Sequence, residues 1–221
     1  MTSGATPNVT TQTPNGGKRQ AQAARRREQL LAAALALFLE RGYRGTSVRD
    51  ITRAAGVTEA VLYHYFANKA DLWAAVLETY APFGQVGRVL EAAAGAPLDE
   101  AVGAVARELL RLLRERQHLV LTLISEAPVE PDVARVLERF LDDVGSALAA
   151  FLGRRQAQGE IAADVDVAAA ARVVQGALLV RLLTTALTPH PDETASDDAA
   201  VAALARLLLR GLVPRHDATA P

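Results

Sequence analysis

The stretch TSVRDITRAAGVTEAVLYHYFANKADL, residues 46–72, decides the fold of this chain. It contains three helix starts in close succession, each with its own stop. Ser47 followed by Asp50 is a capping-box pattern, and the glycine of the AAG turn predicts the end of that helix. Thr58 is expected to cap the next helix, and another helix begins at Asn68. This spacing predicts a tight bundle of short helices.

The AAG turn is typical of a helix-turn-helix, because its small residues let two helices cross closely. Val57 before the cap and Leu62 at the fourth helical position form a hydrophobic staple, which sets the angle of the second helix. Leu62 then points into the bundle together with other apolar residues, Phe38, Ile51 and Phe66. The outer face of the second helix keeps Thr58, Glu59, Ala60, Tyr63 and His64. A recognition helix presents its N-terminal end to base edges in the major groove.

Apolar residues recur at helical spacing along the rest of the chain, and no segment alternates as a strand would. The pattern predicts further helices over residues 25–41, 69–80, 98–116, 119–125, 131–158, from Asp164 or Asp166 to before Pro189, and 197–212. Residues 83–97 are ambiguous, and 189–197 are predicted as a polar loop. We therefore predict an all-α protein. Its predicted parts are a disordered, basic-ended tail (1–24), a three-helix DNA-binding bundle with the helix-turn-helix (25–70), a helical effector-binding and dimerisation domain (71–213) and a loose tail (214–221).

The composition excludes several classes of protein. The chain has no Cys, so disulfides and thiolate chemistry are absent. Its four His residues show no metal-site spacing, and there is neither a Gly-rich phosphate loop nor a nucleophile elbow. We expect no enzyme activity, no cofactor and no metal. The N-terminus lacks the pattern of a secretory signal, and no uninterrupted apolar run reaches about 18 residues, so a cytoplasmic protein without a membrane span is predicted.

The net charge of −1 hides an uneven distribution. Residues 1–69 hold ten basic and four acidic side chains, a net charge of +6, whereas the remainder holds 14 basic and 21 acidic side chains, a net charge of −7. A basic front end on an acidic body suggests contact with a polyanion, although an ordinary solvated surface would look similar. The basic lead-in from Lys18 to Arg27 is interpreted in three ways. It tracks a phosphate backbone, reaches into a minor groove, or is only solvated charge at a helix start.

The stretch quoted above resembles the DNA-binding motif of the TetR family. The matching features are the threonine-serine start, VRDI, the AAGVT turn, LYHYF and the NKADL re-entry. The resemblance is clear over residues 25–77 and continues only as a pattern later, including 159–178. It implies a bacterial homodimer that binds a palindromic operator in double-stranded DNA, usually as a repressor, and that a small-molecule effector releases. The protein would then associate with the nucleoid when it is bound to DNA.

Roles for single residues follow from their chemistry. Thr46, Ser47, Tyr63, His64 and Lys69 are predicted to contact phosphate, whereas Thr58, Glu59 and Ala60 are better placed for base readout. The family usually has a Lys or a small residue where Glu59 stands. This departure leaves open a helical ligand-binding or scaffold protein whose helix-turn-helix no longer binds DNA. Tyr63 could also be a core aromatic, and His64 an ordinary surface histidine.

The later helices are assigned two jobs by the same resemblance. Broad apolar faces on the last two helices predict a dimer interface that includes Val174, Leu178, Leu182, Leu204 and Leu208, with intramolecular core as the alternative. Large aromatics and one histidine that stand out from the Ala/Leu background are candidates for an effector pocket, namely Trp73, Tyr80, Phe83, His118 and Phe140. Plain core packing is the alternative for these five.

Overall fold

The computed structural model describes residues 15–188 and 193–212. These residues form ten α-helices and one short 3-10 helix, with no strand among them. The helices are α1 (Asn15–Arg41), α2 (Val48–Ala55), α3 (Glu59–Tyr65), α4 (Lys69–Tyr80), a 3-10 turn (Pro82–Gln85), α5 (Val86–Ala92), α6 (Leu98–Glu115), α7 (Gln117–Glu126), α8 (Pro131–Ala157), α9 (Val167–Leu187) and α10 (Glu193–Leu212). The predicted all-α fold is confirmed.

Two predicted helix starts are wrong in the same direction. α1 begins at Asn15 and not at Arg25, so residues 15–24 are helical and not part of a disordered tail. Their sequence is rich in Ala, Gln and Arg, which are good helix formers, but it lacks the apolar period that marked the rest of α1. α10 likewise begins at Glu193, inside the predicted polar loop. Residues 1–14, 189–192 and 213–221 lie outside the described residues.

The first hydrophobic core lies inside α1–α4. The rings of Phe38 and Trp73 meet edge to face with centroids 4.7 Å apart, and Ile51 and Leu62 are fully buried beside them. α7 and α8 complete this core with Leu119, Leu123, Val133 and Val136. The helix-turn-helix therefore rests directly on the following helices, because their side chains fill the same core.

The second core is built by α5, α6, α8, α9 and α10, and two buried charged residues anchor its edges. The Arg155 guanidinium donates to the carbonyls of Ala93 (2.9 Å) and Ala96 (2.7 Å) and pairs with Glu160 at 2.9 Å. Asp197 on α10 accepts from Arg181 on α9 at 2.7 Å and from Arg114 on α6 at 2.9 Å. A buried carboxylate needs such partners, so Asp197 fixes α10 against two other helices.

By length and composition alone, α9 would pass for a membrane-spanning helix. It packs instead against α6, α8 and α10. Its buried stripe includes Val174, Leu178 and Leu182, spaced by four residues, whereas Val173, Val180 and Leu187, spaced by seven, are exposed on the far side. α9 is therefore a core helix with a second apolar face that the chain itself leaves uncovered.

Candidate DNA-binding interface and effector cavity

Reciprocal hydrogen bonds hold the start of α2, as the sequence predicted. The Ser47 hydroxyl accepts from the Asp50 backbone N–H at 3.2 Å, and the Asp50 carboxylate accepts from the Ser47 N–H at 3.2 Å. These bonds hold the pKa of Asp50 below its usual value, because they favour the ionised carboxylate. α2 ends at Gly56, whose φ of 66° is left-handed and suits glycine. The helix-turn-helix is thus fixed at both ends of α2.

α3 turns one face to the core and the other to solvent. Leu62 and Phe66 are buried, whereas Ala60, Tyr63 and His64 are exposed. Thr58 has the extended backbone of an N-cap, but its hydroxyl makes no capping hydrogen bond, so the predicted side-chain cap is wrong. This hydroxyl is exposed at the N-terminal end of α3, beside the outward residues.

Glu59 bonds to the helix before it. Its carboxylate accepts from the Arg49 Nε at 3.1 Å, which bridges the first turns of α2 and α3. Both side chains are largely exposed, so the pair adds little to the stability of the fold. It does place a cation beside the one acidic residue on the recognition face, and this reduces the repulsion that Glu59 would exert on phosphate.

Two residues that were predicted to contact phosphate are occupied inside the protein. Thr46 is 1% exposed, and its hydroxyl lies 3.1 Å from the Leu37 carbonyl and 2.9 Å from the Gly42 carbonyl. Lys69 donates to the carbonyls of Tyr43 (2.6 Å) and Thr46 (3.0 Å), and its Nζ lies 4.0 Å from the centroid of the Tyr43 ring. The predicted phosphate contacts of both side chains are corrected, because their polar atoms hold the turn between α1 and α2.

A hydrogen bond joins this turn to α8. The Tyr43 hydroxyl donates to Asp132 at 3.1 Å, and burial together with this carboxylate raises the pKa of Tyr43. Asp132 lies in the first turn of α8, and Phe140 lies two turns further along the same helix. Sequence analysis missed this contact, since its partners are 89 positions apart and neither belongs to a motif.

An apolar cavity lies between α6, α8 and α9. Its volume is about 40 Å³, which holds only a few water molecules. Apart from Gln175 its lining is hydrophobic, with Val86, Leu109, Leu113, Phe140, Val144 and Leu179 among the residues around it. Val86, Phe140 and Val144 also line an open groove between α4, α5 and α8, where Arg139 and Asp143 sit at the rim. Phe140 thus stands between the closed cavity and the open groove.

The other effector candidates lie elsewhere. Trp73 is fully buried in the first core, where it packs on Phe38, and Tyr80 is partly buried against the same core. His118 is exposed. The Phe83 side chain lies outside the described residues. Of these candidates, Phe140 alone borders the cavity in the described part of the chain, because core packing accounts for the first two.

The predicted dimer residues need a similar correction. Val174, Leu178 and Leu182 are buried in the core of their own chain, and Leu204 and Leu208 are partly buried. The apolar side chains left exposed on these helices are their neighbours, Val173, Val180 and Leu187 on α9 and Leu207 on α10. The sequence located the correct helices but selected the inward stripe of α9, since both stripes are apolar.

Comparisons with known proteins agree with this architecture. Residues 30–76 match the model of "Bacterial regulatory proteins, tetR family", and residues 94–204 match "Tetracyclin repressor-like, C-terminal domain". The HTH-type transcriptional repressor BepR of Brucella suis is 31% identical over 163 residues, which cover 70% of this chain and 78% of BepR.

Solved structures show the same fold at low identity. A TetR-family regulator structure from Mesorhizobium loti has a TM-score of 0.73 at 22% identity, and it covers 87% of this chain and 99% of its own. The Bacillus subtilis regulator FadR, solved in complex with stearoyl-CoA, has a TM-score of 0.67 at 23% identity, with 83% and 98% covered.

Proposed function

The chain belongs to the TetR family of bacterial regulatory proteins and is a DNA-binding transcriptional regulator, and from this premise we propose how it recognises DNA and how that recognition is relieved. Proteins of this family act as dimers on DNA operators and respond to small molecules. In our proposal two copies of the chain place their α3 helices in successive major grooves of a palindromic operator, about one duplex turn apart. A bound effector lowers the affinity for this operator, so the protein is a ligand-released repressor.

The observation that carries the DNA-binding proposal is the outward face of α3. Thr58, Ala60, Tyr63 and His64 are exposed there, although Tyr63 is a large aromatic that a helical bundle would normally bury. We assign Tyr63 and His64 to phosphate contacts, and Thr58 and Ala60 to base edges. Ser47, exposed at the start of α2, adds a further phosphate contact. Thr46 and Lys69 position this surface and do not touch DNA.

The dimer in this proposal forms through the uncovered faces of α9 and α10. Val180 is 59% exposed, Leu187 80% and Leu207 71%, and contiguous exposed apolar side chains of this size mark interaction surfaces in soluble proteins. Pairing α9 and α10 with their copies in a second chain would bury them in a four-helix arrangement.

The effector in this proposal is a mainly apolar molecule that enters past Phe140. The cavity is lined by hydrophobic side chains and is too small for such a ligand as it stands, so binding must push α8 away from α6 and α9. The structural neighbour FadR with stearoyl-CoA supports a ligand that carries an apolar chain. A shift of α8 would reach Asp132 and its bond to Tyr43, which holds the turn before α2. The ligand thereby favours a conformation with lower DNA affinity.

Fluorescence anisotropy tests the proposal directly. Purified protein is titrated against the DNA upstream of its own gene and against a scrambled duplex of equal length, at several salt concentrations. We expect tighter binding to the upstream DNA at two chains per site. Tyr63→Ala should weaken that binding by roughly 10- to 100-fold, since a hydrogen bond to a charged group contributes about 1.5–3 kcal/mol.

The control for this variant is Tyr80→Ala, whose side chain lies away from the recognition face. Equal and weak binding of wild type and Tyr63→Ala, both to this DNA and to duplexes selected from a genomic library, would favour the alternative of a helical scaffold without DNA recognition.

A further inference from the structure

The N-terminal half of α1 is a strongly basic helix that the rest of the chain leaves bare. We call residues Lys18–Arg27 the basic extension. Five of its ten residues are basic, none is acidic, and every one except the half-buried Ala23 is exposed. The extension has a length of about 14 Å at 1.5 Å per residue. Its helical form shows that the charges are held at fixed spacing and not on a floating tail.

The spacing arranges four of these charges in two rows. Lys18 and Arg25 are seven residues apart and share one side of the helix, and Arg19 and Arg26 share a second side about 100° away. Each row therefore places two cations about 10 Å apart along the helix axis. The fifth, Arg27, packs over the Phe66 ring at 5.4 Å and ties the base of the extension to the end of α3.

The position of α1 directs the extension away from the effector cavity. The C-terminal end of α1 lies against α7 and α8, since Gly42 approaches Glu126 and Tyr43 bonds to Asp132. The opposite end passes Phe66 beside α3 and then runs on beyond the first core. The extension is thus attached next to the recognition helix and projects from the pole that lies farthest from α8.

From this geometry we propose that the basic extension of each chain binds the phosphate backbone of the duplex outside the bases that α3 reads. The proposal rests on the DNA-binding function proposed above and adds an element to it. Its occupant is a nucleic acid duplex because the extension is cationic and contains no large apolar side chain. A helix that binds a membrane surface would need Trp, Phe or Leu on its other face, and residues 18–27 contain only Lys, Arg, Gln and Ala.

The salt dependence of binding tests the proposal, because each phosphate contact contributes about 0.9 to the slope of log affinity against log salt. The test variant carries Lys18→Gln, Arg19→Gln, Arg25→Gln and Arg26→Gln. A matched control removes four exposed arginines from the second core and its edges, Arg88→Gln, Arg107→Gln, Arg116→Gln and Arg154→Gln. A third variant keeps the charge as Arg19→Lys, Arg25→Lys and Arg26→Lys. All are titrated against the scrambled duplex and the upstream DNA, and circular dichroism reports their helix content.

We expect the test variant to lose at least about 2 from the slope on both duplexes, which is one phosphate contact per chain of a dimer. Between 50 and 200 mM salt, this changes its affinity relative to wild type by about 16-fold. The preference for upstream over scrambled DNA should persist, and the matched control and the lysine variant should keep the wild-type slope.

An unchanged slope in the test variant, or an equal loss in the matched control, would overturn the proposal. These results are distinguishable from failure of the proposed function. In that case wild type itself shows no preference between the two duplexes, whereas the comparison of slopes on the scrambled duplex still reports on the extension.

Discussion

Replacing Thr46 with Val separates a structural role from a DNA contact. The Thr46 side chain is buried, and its hydroxyl lies within hydrogen-bond distance of the Leu37 and Gly42 carbonyls, which bracket the end of α1. Valine has nearly the same shape but no hydroxyl, so Thr46→Val places an apolar methyl against both carbonyls. The same turn carries the Lys69 and Tyr43 contacts, and it sets where α2 begins.

The structure gives the size of the expected effect. Leaving buried hydrogen-bonding groups without their partner costs about 1–3 kcal/mol. For a chain of 221 residues, each kcal/mol lowers Tm by about 2–4 °C, so we expect Thr46→Val to lower Tm by roughly 2–12 °C. The exposed hydroxyl of Thr58 makes no capping bond, so Thr58→Val should leave Tm within about 2 °C of wild type.

Calorimetry and anisotropy on the same preparations decide between the two roles. DNA affinity of Thr46→Val is measured at a temperature where both proteins are folded, and we expect it to equal that of wild type. A variant with wild-type Tm but weaker DNA binding would refute the reasoning, since it would show that the Thr46 hydroxyl contacts phosphate and not the protein.

Three further predictions address the dimer, the second core and the helix cap. Val180→Glu should shift the protein from dimer to monomer in sedimentation velocity, whereas Val129→Glu, equally exposed but on the α7–α8 connection, should not; a dimer with Val180→Glu would refute the assigned interface. Asp197→Ala should destabilise the fold by about 3 kcal/mol in urea, because it leaves two arginines without their shared carboxylate, and Asp198→Ala, exposed, should change it by less than about 0.5 kcal/mol; equal effects would contradict the buried ion pairs. The pKa of Asp50 is lower in the folded than in the unfolded chain, so its capping contribution is present above about pH 4 and is lost as pH falls through the folded value. Wild type should therefore lose more stability than Asp50→Asn in this acid range, and parallel curves would contradict the cap.

The bond between Tyr43 and Asp132 suggests how one helix serves two sites. α8 borders the cavity through Phe140 and reaches the helix-turn-helix through Asp132. A ligand that displaces α8 therefore perturbs the turn before α2 directly. Since Leu119, Leu123, Val133 and Val136 also complete the first core, the DNA-binding bundle cannot move independently of α7 and α8.

The sequence determined what depends on neighbouring residues. The capping box at Ser47 and Asp50, the glycine that ends α2 and the helical period of the later segments are local signals, and the structure has them as predicted. The family resemblance also rests on a contiguous stretch, residues 46–72. The helical state of residues 15–24 was missed because a solvated helix has no apolar period to reveal it.

Tertiary structure alone decided what each polar or apolar side chain faces. Thr46 and Lys69 carry the groups that bind phosphate, and only the fold shows that carbonyls of the α1–α2 turn occupy them. On α9, both the inward stripe at Val174, Leu178 and Leu182 and the outward stripe of Val173 and Val180 are apolar. Periodicity therefore established that α9 is a helix but could not assign one stripe to the core and the other to a partner. Which stripe is covered depends on α6, α8 and α10, helices that lie far from α9 in the sequence or on its other side, and that arrangement exists only in the folded chain.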